Sequence, residues 1–282
     1  MKSSTDFLPR LPQSFLLIGP PGSGKTTVSL QLPKPFILDC DDNLNGPVRF
    51  LKTVERLNQP WFYDTPLRDD NNQPVPREAQ WDRAINLLTE ACSSPSVETI
   101  VISSLTSFIE LAFLQTYKMT GKKLGDYKKT IDPKFEFEQW GAFGSIMRQT
   151  IFWLKSSGKR LCVEAHMTVD KEELTGVLTN FIHVPGSIKH VLSGWFEEVW
   201  LMDVTTTGIG ATQKTERKII TSPGPRDKNL GLKSAAQLGT SFPADKVSEL
   251  QAIFSSDLEA LQYQNTPLYR MIQPPSSSSS LS

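Results

Sequence analysis

Eight residues, GPPGSGKT at 19 to 26, fit the pattern G-x-x-x-x-G-K-[ST], and the apolar run FLLIG at 15 to 19 leads into them. A stretch of helical character, KTTVSLQL, follows. Strand, glycine-rich turn and helix in that order are the setting in which this pattern cradles phosphate. The glycines let successive backbone N–H groups turn inward around phosphate oxygens, where a side chain would obstruct them. A helix starting near Lys25 adds the positive end of its dipole. Lys25 is then placed to reach the β- and γ-phosphates of a nucleotide, and the Thr26 hydroxyl to ligate Mg²⁺. The expected nucleotide contacts are Gly19, Pro20, Pro21, Gly22, Ser23, Gly24, Lys25, Thr26 and Thr27, with ATP and Mg²⁺ as cofactors. The competing reading is a glycine-rich turn that holds no ligand.

The rest of the chain repeats the strand-then-helix rhythm of a parallel sheet. PFILDC (35 to 40) precedes PVRFLKTVERL, where Pro47 suits a helix start, and WFYD (61 to 64) precedes the polar loop RDDNNQPVPREAQ. The helix AQWDRAINLLTEAC leads to the strand TIVIS. Phe137, Trp140, Gly144, Met147, Ile151 and Leu154 recur at three and four residues, which predicts a long helix with that face on the core and an end at Gly158. RLCVEA (160 to 165) reads as a strand with His166 just past it, followed by a loop region. EEVWLMDV (197 to 204) and ERKIITS (216 to 222) read as two further strands joined as a hairpin. One domain over 13 to 255 is expected, between a loose segment at 1 to 12 and a C-terminal extension, 256 to 282, that ends QPPSSSSSLS.

Lys plus Arg equal Asp plus Glu at 30 each, so any contact with nucleic acid must come from a local patch. Cys40, Cys92 and Cys162 are an odd number without C-x-x-C spacing, which fits thiols in a reducing compartment. No apolar stretch approaches the ~20 residues that span a bilayer. A soluble, cytoplasmic protein with no membrane contact is expected.

Ligands of open α/β sheets sit beyond the carboxyl ends of the strands. Here those ends carry Asp39, Asp41 and Asp42, then Ser103 and Ser104, then Glu164 and His166. A carboxylate past the second strand can orient or deprotonate the water that attacks a γ-phosphate, and Asp41 is the first choice over Asp39 and Asp42. The trio equally suits a solvated turn with capping aspartates. His166 can hydrogen-bond a γ-phosphate and report its loss, or stand as a satisfied histidine at a strand end.

The order GPPGSGKTT, FILDCDD, TIVISSLTSF, LCVEAHM, WFEEVWLMDV and ERKIITSPGPRDKNLGLK, over about residues 14 to 252, resembles the RecA-like P-loop ATPases. It is more closely similar to phage-encoded members related to single-strand annealing and recombination proteins. The resemblance implies an α/β, RecA-like P-loop NTPase core: a mostly parallel sheet flanked by helices, with a C-terminal antiparallel extension. It further implies Mg-ATP binding with ATPase activity slowed by Ser103, self-assembly, single-stranded DNA as a partner, and a place beside recombination or replication proteins in the host cytoplasm. Lys25, Asp41 and His166 take the catalytic positions, Asp41 standing for the family's usual glutamate and His166 for its sensor. Thr26 and Ser103 take the metal positions. Ser103 departs from the family, which usually has aspartate there. With Thr26 and the phosphates on Mg²⁺, Ser103 and Asp41 are expected to bind its waters. Aspartate at 103 is then expected to lower the Mg²⁺ requirement and speed turnover, unless the metal already has its acid.

Two other classes compete: a weakly hydrolysing nucleotide switch that recruits a protein partner, favoured by Ser103, and a P-loop kinase, which needs a lid of arginines over its acceptor. Arg217, Arg226, Lys228 and Lys233 suit fingers that reach a neighbouring subunit's γ-phosphate, or a plain charged surface. In the RecA-like pattern DNA-binding loops follow the strands that correspond here to TIVIS and RLCVEA. Residues 117 to 134 hold six lysines against Asp126 and Asp132, a net charge of +4, with Tyr117 and Tyr127 interleaved. Lysines track phosphates and tyrosines stack on bases, although such a segment also suits a solvated surface. The second loop falls at 167 to 190, with Lys171, Lys189 and His190. Replacing Lys122, Lys123, Lys128 and Lys129 with Gln is predicted to weaken single-strand binding and to flatten its salt dependence by up to about 0.7 log units for each phosphate no longer neutralised. Fluorescence anisotropy across a salt series measures this, and an unchanged slope removes the segment from the DNA path.

Overall fold

Strands that are apolar on both faces need cover on both sides, and the first strand shows how this chain provides it. All six residues of β1 (Ser14–Gly19) are buried. Leu16 and Ile18 pack in one apolar core and Phe15 and Leu17 in another. The same division recurs along β2 (Pro35–Asp39) and β4 (Thr99–Ser103). On one side lie α3 (Arg77–Ser93), α4 (Leu105–Met119) and α5 (Phe137–Ser156). The shorter α1 (Lys25–Ser29) and α2 (Asn45–Thr53) cover the other. The computed structural model describes residues 13–55, 57, 59–121, 135–171, 176, 178–208, 213–235 and 241–244.

The remaining strands are β3 (Phe62–Asp64), β5 (Arg160–Lys171), β6 (Leu178–Ile182), β7 (Glu198–Thr207), β8 (Lys214–Ile220), β9 (Lys233–Ser234) and β10 (Ser241–Pro243). Across the sheet the order is β10, β8, β7, β1, β5, β4, β2, β3. From β7 to β3 every neighbour is parallel, whereas β8 runs antiparallel to β7 and β10 antiparallel to β8. A mostly parallel sheet between helices, closed at one edge by antiparallel strands, is the architecture expected of the RecA-like P-loop core. In-register pairs put Gly19 beside His166 and Asp39 beside Ser103. The carboxyl ends of four strands therefore open at one place.

Four local expectations change. Helix α1 is five residues long, because Pro33 and Pro35 lie too close behind it for a longer helix. Phe137 is 95% exposed in the first turn of α5, and the buried stripe starts at Gln139, continuing through Phe143, Met147, Ile151 and Leu154. A reciprocal capping box between Glu136 and Gln139 fixes that turn and leaves Phe137 outside the stripe. Strand β5 does not stop before His166 but runs on to Lys171 and pairs with β6. The region read as a loop thus holds a hairpin, followed by α6 (Ile188–Val191). The lysines at 122, 123, 128 and 129 lie outside the described residues, as do 1 to 12 and everything after 244. No helix among the described residues is long and apolar enough to cross a membrane.

An aromatic cluster joins α4 to α5. Phe143, fully buried, stands 4.7 Å from Phe113 between ring centroids, and Phe135 and Trp140 contact the same pair. Phe143→Ala is predicted to cost about 3–5 kcal/mol of stability, as large-to-small changes at sealed aromatic sites do. Urea unfolding measures the loss, and a change below about 1 kcal/mol would show that this interface is loosely packed.

Candidate nucleotide site

Side chains along a strand alternate between its faces, so parity shows which strand-end residues look toward the phosphate loop. Ile37, Val101 and Cys162 pack with Val28 of α1. Counting on by two residues places Asp39, Ser103, Glu164 and His166 on that side. On β8 the buried Ile219 belongs to the same core, so Arg217 faces that way too. A cleft of about 890 Å³ opens there, and its walls include the phosphate loop, Asp41, Ser103, Glu164, His166 and Arg217.

The loop conformation demands its glycines. Gly22 and Gly24 have φ of 75° and 95°, in the left-handed region that favours glycine. A Cβ at Gly19 would fall 2.7 Å from Ser23 Oγ and 2.8 Å from the Met202 carbonyl oxygen, so no side chain fits. With α1 so short, the expected dipole contribution gives way to the loop's own N–H groups. Lys25 Nζ donates to the carbonyls of Gly19 and Pro20, at 3.0 Å each. Burial lowers the Lys25 pKa, opposed by the charges of Glu164 and Asp41. Its hydrogen-bonding capacity is held by two neutral carbonyls that anionic phosphate oxygens can replace.

The three aspartates separate into three tasks. Asp39 is buried, and its carboxylate accepts the backbone N–H groups of Asp41 and Asn43, which shapes the turn. Burial raises its pKa against those hydrogen bonds. Asp42 faces outward in an ion pair with Arg68, at 3.3 Å. Only Asp41 reaches the cleft, where the Ser107 hydroxyl donates to it. His166 also lines the cleft. Burial first, and then the Lys25 charge, hold its pKa below the usual range against the opposing charge of Asp41. Its Nδ1 is buried with no partner among the described residues, as are Ser23 Oγ and Ser104 Oγ.

The residue not anticipated in the site is Glu164, which is 1% exposed. It accepts hydrogen bonds from Thr26 Oγ1 at 2.7 Å, Ser29 Oγ at 2.5 Å and Ser103 Oγ at 3.0 Å. Burial raises its pKa, and these hydroxyls together with the Lys25 charge pull it back down. Parity is the signal that finds it in the sequence: a lone acid inside RLCVEA, two residues before His166, must face the phosphate loop. The placement of Arg217 bears on its two readings, a finger or a plain charged surface. Its Cδ would lie 3.5 Å from a Cβ built on Gly24, so it stands over its own loop, whereas the finger reading directs it to a neighbouring subunit. Phe50 of α2, 51% exposed, adds an aromatic face to the cleft wall.

The donor set fits Mg-nucleotide: a loop whose glycines leave no room for side chains, buried hydroxyls at Ser23 and Ser104 with no partner among the described residues, a lysine held by replaceable carbonyls, and a Thr26 hydroxyl that donates to Glu164 and keeps its lone pairs. Residues 11–227 match the model of a protein family described as AAA domain. No curated protein matches the chain. Among solved structures, the flagellar accessory protein FlaH from Methanocaldococcus jannaschii is similar at 10% identity and a TM-score of 0.35, covering 80% of this chain and 84% of FlaH. An ATPase from the type III secretion system of pathogenic bacteria is similar at 10% identity and a TM-score of 0.38. That alignment covers 68% of this chain and 52% of the secretion ATPase, about half its length.

Lys25→Ala is predicted to abolish measurable ATP binding while the fold survives, because the amine hydrogen-bonds to loop carbonyls and acts on Glu164 and Asp41 through its charge alone. Calorimetric titration and circular dichroism measure the two together. A folded variant that binds ATP like the parent contradicts the site.

Proposed function

The chain belongs to the AAA domain family, and from that premise we propose that it is a Mg-dependent ATPase that assembles with itself and acts on single-stranded DNA in recombination or annealing. The observation that carries the ATPase part is the convergence of Lys25, Thr26, Asp41, His166 and Arg217 on one cleft. Asp41, oriented by Ser107, takes a proton from water as its oxygen attacks the γ-phosphorus. The bond from that phosphorus to the β-phosphate oxygen breaks, and the negative charge on the leaving oxygen is met by Lys25. Arg217 supplies a second cation from the same chain, the role of an arginine finger in cis. Thr26 would hold Mg²⁺, which would neutralise phosphate charge when bound. Phe50 offers the base a stacking face.

The DNA part rests on the basic segments and on how β5 is built. His166 lies within a strand that continues to Lys171, and the His183 N–H donates to the His166 carbonyl at 2.8 Å. A change at the γ-phosphate therefore has a direct covalent and hydrogen-bonded route into the β5–β6 hairpin. Lys189 stands over the Phe181 ring of β6 at 5.4 Å, which adds positive charge beside that hairpin. The segment 117 to 134 contributes the larger charge. A phage setting, and recombination or replication proteins as partners, belong to this proposal through the sequence resemblance alone.

Turnover of ATP with and without single-stranded DNA, over a salt series, tests the reading. The expected result is a slow basal rate that rises with DNA, with the stimulation fading as salt releases the strand. Equal turnover with and without DNA at every salt concentration contradicts the DNA part, and no turnover at all contradicts the enzyme.

A further inference from the structure

We infer that Glu164, from β5, supplies the negative charge behind the metal site that Ser103 on β4 does not, and positions Thr26 and the water shell of Mg²⁺. This rests on the nucleotide-binding reading above. Three observations carry it. The carboxylate is 1% exposed, and every hydrogen-bond donor found on it is a neutral hydroxyl. The nearest cation, the Lys25 ammonium, is bonded to the Gly19 and Pro20 carbonyls, and no ion pair to Glu164 occurs among the described residues. A buried carboxylate is costly unless hydrogen bonds and a nearby cation compensate it, and its hydroxyl partners face the cleft in which a metal would sit.

The direction of the hydrogen bonds says where that cation belongs. An ionised carboxylate can only accept, so Thr26 and Ser103 must donate to it. Their protons point toward β5, and their oxygen lone pairs are left free to face the cleft. Thr26 is then oriented as a ligand for Mg²⁺, and Ser103 as an acceptor for a water in its shell. Ser29 fixes the other carboxylate oxygen at 2.5 Å and holds the group in place. Glutamine at 164 would carry no charge and would present an amide N–H₂ on one side. That group would face Ser29, while the amide oxygen still accepts from Thr26 and Ser103, which share one carboxylate oxygen, so the variant removes the charge and keeps their orientation.

The geometry also reverses the expectation for residue 103. Ser103 Oγ is only 3.0 Å from Glu164, so aspartate there would press a second carboxylate against a buried one. Two such neighbours cannot both ionise readily. Aspartate at 103 should therefore help only when residue 164 has lost its charge.

The experiment measures ADP affinity of the full chain in EDTA and in Mg²⁺, and reads the ratio of the two dissociation constants. ADP keeps turnover out of the readout. In Glu164→Gln the Mg²⁺ enhancement should fall about 10- to 100-fold, the usual effect of removing an outer-sphere partner of a metal site. Ser103→Asp alone should also lower it, and the double variant should regain most of it. A purely structural clamp predicts no such rescue, so its absence in a folded double variant overturns the proposal. An enhancement in Glu164→Gln within about twofold of the parent does so as well, being far below the outer-sphere effect. If Glu164→Gln does not fold, Ser103→Asp decides alone, because an increased Mg²⁺ enhancement there would show a site short of a carboxylate. A parent chain that binds no ADP in either condition instead refutes the nucleotide reading itself, whereas failure in the variants refutes only the role of Glu164.

Discussion

A carboxylate removed from water has to be held by something, and around Glu164 this chain arranges three hydroxyls from two different elements. Thr26 and Ser29 come from α1, and Ser103 from the end of β4. The interaction ties the first helix after the phosphate loop to two neighbouring strands of the sheet. Removing one hydroxyl leaves part of a buried charge unsatisfied, a penalty of about 1–3 kcal/mol or more. The short α1 needs such an anchor. Only Val28 and Ser29, besides Lys25, are buried along it, and two prolines stop it from lengthening.

That anchor makes sense of the rest of the site. The sheet places four strand ends together, and strand parity sends Asp39, Ser103, Glu164, His166 and Arg217 to the face that α1 covers. Asp39 is consumed by the turn it shapes, and Asp42 by Arg68, which leaves Asp41 as the acid available to a water in the cleft. The carboxyl group behind the phosphate loop, Glu164, sits on β5, one strand over from where the RecA-like pattern puts its aspartate. The nucleotide-switch reading draws its force from the missing aspartate at 103, and the role we infer for Glu164 would answer it.

The phosphate loop, the parallel sheet and the antiparallel edge were legible because each has a local signature: glycine spacing, apolar runs bounded by turns, and a hairpin between two strands. Phe137 misled because three- and four-residue spacing cannot tell the first turn of a helix from its interior, whereas the Glu136–Gln139 box that fixes the turn can. Strand β5 outran its apolar run because its second half pairs only with β6, and an exposed hairpin needs no apolar alternation. Glu164 was visible as a strand-end acid yet lacked a role, since its hydroxyl partners are 61 to 138 residues away in sequence. Arg217 was legible as a cation, but which chain's phosphate it faces depends on the pairing of β7 with β8.

A crystal structure of the protein with Mg-ADP tests the central claim most directly. The account predicts the phosphates inside the loop of Gly19 to Thr26, Lys25 moved from the Gly19 and Pro20 carbonyls onto them, and Thr26 on the metal with Glu164 still accepting its hydroxyl. Mg²⁺ bound directly by Asp39 or Asp41, with Thr26 turned away from Glu164, would contradict it.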